Sequence, residues 1–185
     1  LIQNKKLYLQ FPQLKVEWMV TTTHTAKQYL TNGLADLSFL CAVKPSSLLE
    51  YVPLLHDTLC LAVPESMISA GIRAGGLAAC GCLPFVLPDE QQFGRELVDR
   101  LFRREHLYPI SLYTAASWKD LVRLADEGYG TAILPERSAA RLEHCEVLPL
   151  ENAPSFDFVC AVPRSAEPSP ACMALIELAR KHFAP

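Results

Sequence analysis

The chain has 185 residues, half of them hydrophobic and a fifth charged, with 17 Lys and Arg against 20 Asp and Glu for a formal net charge of −3. That composition belongs to a folded chain long enough for one large domain or two small lobes, and the slight acidic excess argues against a surface for nucleic-acid phosphates. No apolar run approaches the ~20 residues of a membrane-spanning helix, and the opening LIQNKKLYLQ lacks the continuous apolar core of a secretory signal.

Leu1 is not an initiator methionine, and residues 1–11 read as an amphipathic helix already under way, so the sequence is expected to begin inside a longer chain. Pro12 stops that helix, and LKVEWMV (14–20) alternates like a half-buried strand. Thr25 and Gln28 stand at capping-box spacing and predict a helix from Thr25 through Leu30, ended by Asn32-Gly33. A strand over 36–43 follows, then strand-like runs at 50–56 and 58–63. A small-residue stretch (70–82) leads into PFVLP (84–88), a strand bounded by prolines. Phe93, Leu97, Leu101 and Phe102 then share one face of a helix, and a strand is expected over 108–113. Ser117 caps the next helix with Asp120 as its reciprocal partner, Gly128 ends it, and Gly130 is a turn glycine before a strand at 131–134. Strands at 145–150 and 156–162 precede a C-terminal helix carrying Cys172, Leu175, Ile176, Ala179 and Phe183 as its apolar stripe.

Strand–helix–strand alternation occurs twice, over 14–43 and 84–134, which predicts an α/β fold with largely parallel sheets. Two stretches resemble each other, LAVPES (61–66) and CAVPRS (160–165), each an apolar strand closed by a proline. The repeat reads as the chain's two crossings between similar lobes, with the two stretches side by side. The seven cysteines are an odd number in apolar contexts, as expected of reduced thiols, and Cys80-Gly-Cys82 alone makes too small a set for a metal. The five histidines are dispersed, and no catalytic constellation or cofactor motif emerges.

In this order the blocks FPQLKVEWMV, TNGLADLSFL, LLHDTLCLAVPES, PFVLP with its following helix and Tyr-Pro strand, and SWKDLVRLADEGYGTAILPE resemble the effector-binding domain of LysR-type transcriptional regulators over nearly the whole chain. The resemblance implies two Rossmann-like lobes joined by a two-strand hinge, like a type 2 periplasmic binding protein. Lobe I would comprise residues 1–63 and 163–185 and lobe II residues 64–162, with the hinge at Ala62, Val63, Pro64, Ala161, Val162 and Pro163. The family's first strand would precede residue 1 and is missing from this sequence, as are the winged helix-turn-helix and linker helix through which the full-length protein would bind DNA. It further implies a cytoplasmic homodimer, tetrameric at full length. In that dimer the helix at 1–11 and strand 14–20 would pack on the partner's helix 92–106 and strand 108–113.

The cleft of such a fold gathers strand C-termini and helix N-termini, whose free amides favour anions. On lobe I the candidate contacts are Thr21, Thr22, Thr23 and His24, where hydroxyls and helix-terminal amides form a carboxylate cradle; the same threonines also serve as helix caps. On lobe II they are Gln91, Gln92, Thr114 and Ser117, at the matching strand ends, while Arg95 reads as a surface arginine. The expected function is a small-molecule sensor without catalysis, metal or cofactor. A solute-binding protein of a transport system and, behind it, a dehydratase or deaminase on the same scaffold are the alternatives.

Overall fold

The computed structural model describes residues 5–183, the side chains of Lys5 and Lys6 excepted; residues 1–4 of the predicted first helix lie outside that range. The chain divides into two compact units, residues 1–56 with 156–185 and residues 57–155.

Unit 1 is built on antiparallel pairing. Strand β1 (Ser38–Ala42) runs against β7 (Ser155–Pro163), with Ser38 opposite Ala161 and Ala42 opposite Asp157. The first half of β2 (Leu49–Pro64) lies on the other side of β7, where the Arg164 amide donates to the Leu48 carbonyl at 2.9 Å. Helix α2 (Thr23–Thr31) seats Ala26 and Leu30 against Leu40, Ala42, Leu49, Val159 and Ala161 on one face. Helix α7 (Pro170–Phe183) covers the other, with Ile176 against Cys160 and Val162. Period-2 alternation in β7 sends Cys160 and Val162 to one helix and Val159 and Ala161 to the other, so both faces are apolar and both are covered. Helix α1 (Lys5–Gln10) adds the buried Leu7.

Unit 2 carries the parallel strands. Strand β3 (Pro84–Pro88) pairs in parallel with β4 (Ile110–Ala115) and with β5 (Thr131–Pro135). The second half of β2 runs antiparallel to both β5 and β6 (Cys145–Pro149). Helix α5 (Trp118–Asp126) and the short α6 (Glu136–Ala139) bury Leu121, Ala125 and Ala139 against Cys60, Ala62, Val86 and Leu134. Helix α4 (Phe93–Arg104) buries Leu97, Val98, Leu101 and Phe102, with Phe102 edge-on to Phe85 at 4.9 Å between ring centres. The small-residue stretch forms α3 (Ala70–Gly75) and a 3-10 turn over Gly76–Cys80.

Several expectations are corrected here. Residues 14–20 form no strand, and Trp18, Met19 and Val20 are exposed; among the described residues no strand pairs with them. The runs at 50–56 and 58–63 are one continuous strand, Pro53 included. Unit 1 is antiparallel rather than parallel.

The repeat also has a different meaning. The units divide between His56 and Asp57 and between Ser155 and Phe156, earlier than the expected boundaries at 63/64 and 162/163. Ala62 and Val63 pair with Val147 and Glu146 inside unit 2, whereas Cys160 and Ala161 pair with Phe39 and Ser38 inside unit 1. The two stretches are therefore not side by side. Each is the strand that follows a crossing, and each repeats the same stop. After Pro64 the Glu65 amide donates to the His144 carbonyl at 3.0 Å, and after Pro163 the Arg164 amide makes the matching bond. A serine then caps the next helix in both places, Ser69 accepting from the Ile72 amide and Ser169 from the Cys172 amide.

Candidate functional site

In unit 1 the candidate loop is the entry to α2. The cap is Thr22, not Thr25: its Oγ1 accepts from the Thr25 amide at 3.3 Å and lies 3.1 Å from the Thr25 hydroxyl. The helix starts at Thr23, so Thr23 and His24 occupy its first turn and the exposed Thr21 precedes the cap. That first turn holds no acidic side chain, which leaves its free amides to favour a negative group without internal competition.

In unit 2 the ends of β3 and β4 are level, Pro88 opposite Ala115. The Asp89 amide donates to the Ala115 carbonyl at 2.9 Å, and the Gln91 amide donates to Asp89 Oδ1 at 3.0 Å. Gln92 is the N-cap residue of α4, and its Nε2 donates to the Ala116 carbonyl at 3.2 Å. This bond fixes the amide's orientation and leaves Oε1 as a buried acceptor with no partner. Ser117 caps α5, accepting from the Asp120 amide at 3.2 Å while its hydroxyl donates to Asp120 Oδ2 at 2.6 Å. The helix starts meet where Gly94 faces the Trp118 ring, so close that a Cβ at Gly94 would overlap it. Gln92 and Ser117 are thus brought together through Ala116, while Gln91 and Thr114 stand exposed on the same rim. Arg95 is not a free surface arginine: it donates to the Pro88 carbonyl at 3.1 Å and pairs with Asp99 at 2.9 Å, bracing the loop.

The sequence reading missed a polar pair on unit 1. His56 Nδ1 lies 2.7 Å from Asp157 Oδ1, with the two side chains 62% and 49% exposed. The partners stand 101 residues apart, and only the pairing of β2 with β7 joins them, so no local spacing signals it. Next to it Asp57 is buried, and desolvation pushes its carboxyl above the ordinary carboxylate value against the pull of the Thr58 and Arg137 amides. The thiols of Cys60, Cys145 and Cys160 are pushed up to about 12, chiefly by burial, so they are unreactive at neutral pH. Among the described residues no three His, Cys, Asp or Glu side chains gather as a metal site, and no helix is long and apolar enough to cross a membrane.

With this geometry in hand, comparison with known proteins is informative. Residues 5–184 match the family described as the LysR substrate binding domain. The HTH-type transcriptional regulator CysL of Bacillus subtilis (strain 168) is 26% identical over 149 residues, covering 80% of this chain and 48% of that protein. The chain thus spans about half the length of this curated relative. Among solved structures, the Synechocystis PCC6803 CcmR regulatory domain in complex with 2-PG superposes with a TM-score of 0.74 at 16% identity, covering 97% of this chain and 88% of that one. The effector-binding domain of QuiR in complex with shikimate gives 0.70 at 20% identity, over 98% and 90% of the two chains.

Proposed function

The chain belongs to the LysR substrate-binding domain family, and from that premise we propose that it is the ligand-sensing half of a DNA-binding transcriptional regulator that binds a small anionic effector. The observation that carries the reading is the matched placement of candidate contacts. In unit 1 the hydroxyl-capped start of α2 has no acidic first-turn residue. In unit 2 Gln92 and Ser117 meet at the level ends of β3 and β4. The structural relatives named above were solved with 2-PG and with shikimate, which supports a small-molecule ligand of this size.

Binding would act by population shift: an effector favouring one arrangement of the domain biases the DNA-binding segment attached to it. That segment is the winged helix-turn-helix expected before residue 1. The assembly we propose is a cytoplasmic homodimer, tetrameric at full length. Each unit offers an unpaired apolar edge to a second copy. Unit 1 exposes Trp18, Met19 and Val20, and unit 2 exposes Tyr108 just before the edge strand β4 and Ile110 and Leu112 on it, and exposed apolar surface of this kind is normally covered.

Calorimetry with a panel of small carboxylic and phosphorylated acids tests the site. Wild-type protein is expected to bind at least one acid. Thr22→Val and Gln92→Leu should each weaken it by about tenfold, the loss expected when a hydrogen bond to a charged group is removed, and Thr22→Ser should restore it. Equal affinity in all variants would reject these residues as contacts.

A further inference from the structure

The loop at 21–24 supplies hydroxyls and amides but only one side chain able to carry positive charge, His24. The fold places a second one at the same end of unit 1. A short connection (32–37) leads from the end of α2 to the start of β1, and Ala26 and Leu30 share one buried cluster with Leu40 and Ala42, so α2 runs back along β1 and begins towards Ala42. Ala42 in turn lies directly opposite Asp157 on β7. Residues directly opposite in an antiparallel pair point to the same side of the sheet, so Asp157 emerges on the side that α2 covers. There it holds His56 at 2.7 Å. The start of α2, Asp157 and His56 therefore share one end of the unit 1 sheet.

The pairing settles the tautomer. A carboxylate only accepts, so Nδ1 carries the hydrogen and donates it to Asp157 Oδ1. Nε2 has no partner among the described residues, and the side chain is well exposed. In the neutral ring Nε2 is an acceptor and repels an anion; in the imidazolium it is a charged donor. An anion at this end of the sheet selects the protonated ring.

Building on the proposed function, we propose that His56, oriented by Asp157, is an effector-contacting residue that donates from Nε2 to the acid's anionic group, so that binding of the acid takes up a proton. The other titratable or charged groups on neighbouring elements are His24, Lys27 and Tyr29 of α2, Lys44 just beyond β1, and Glu50, Tyr51 and Asp57 of β2, with Lys27 lying over the Tyr51 ring. The Asp57 carboxylate is engaged by the amides of Thr58 and Arg137 and lies within the fields of Arg137 and Glu136. His24 is the other imidazole among these, so it serves as the control.

The test is calorimetry at about pH 7.5, where imidazole is mostly neutral, using the tightest-binding acid of the panel in buffers of different ionisation enthalpy. Wild-type protein is expected to take up a fraction of a proton per acid bound. His56→Gln should abolish the uptake and weaken binding about three- to fivefold, as for a partly exposed charge pair. Asp157→Asn should reduce both, and His24→Gln should leave the uptake in place. Uptake and affinity unchanged in His56→Gln would overturn the inference while leaving the binding site intact. Uptake lost in His24→Gln alone would overturn it in favour of that residue. Absence of binding by every acid would overturn the proposed function and this inference with it.

Discussion

At the residue scale, Ser117 and Thr22 show what local sequence can and cannot specify. Ser117 is a legible cap because its partner Asp120 is three residues away and no neighbouring residue competes for the role. The run Thr21–Thr25 offers several hydroxyls at adjacent positions, and the choice of Thr22 follows from burial of Ala26 and Leu30 against the sheet. Packing phase, not capping chemistry, decides where α2 begins. Thr22→Val should lower stability by about 1 kcal/mol in urea unfolding, the usual cost of a lost hydroxyl cap. Gly94→Ala should cost more, about 1–3 kcal/mol, because the added methyl displaces the Trp118 ring; the loss of fixed Trp118 contacts is read in near-ultraviolet dichroism.

Asp57 gives the pH dependence. Its carboxyl is raised by burial, so the folded chain binds this proton more tightly than the unfolded chain does. As pH rises from the ordinary aspartate value of about 3.9 through the raised folded value, the unfolded state releases its proton first, and stability falls. Asp57→Asn retains one acceptor oxygen and lacks the titration. The difference in unfolding free energy between wild type and Asp57→Asn should therefore move against wild type across that window and level off above it. A difference independent of pH would show that Asp57 is ionised as readily in the folded chain as in the unfolded one.

At the element scale, strongly periodic segments were legible and unpaired ones were not. Helices α4 and α5 match their apolar periodicity, with Leu97, Leu101 and Leu121 buried as the spacing requires. The alternating LKVEWMV was read as a strand because alternation reports which residues would be buried once a partner strand is present. It does not report whether a partner strand lies beside it. Edge strand β4 has the same character: its pairing with β3 is real, yet Ile110 and Leu112 stay exposed. If both edges are buried between two copies, then Val20→Glu or Leu112→Glu should each shift the protein to monomer in sedimentation velocity with no loss of fold. Retention of the dimer in both variants would place the interface elsewhere.

At the scale of the whole molecule, the order of blocks carried the fold and the family, while the details of the join escaped. The Ala-Val-Pro repeat marks the strand that follows each crossing between units rather than the crossing itself. A strand passing from one core to another keeps its apolar pattern on both sides, so nothing in LLHDTLCLAVPES marks the passage at His56. The site is legible only as two lists of hydroxyl and amide side chains, because what assembles each list is pairing between distant strands.

The central claim is that a small acid binds at the capped helix starts named above. Backbone amide chemical shifts during titration with the tightest-binding acid test it most directly. The account predicts that the amides of Thr23–Thr25 and of Phe93, Gly94 and Trp118 shift in a saturable way. Saturable shifts confined to residues outside both groups would contradict it.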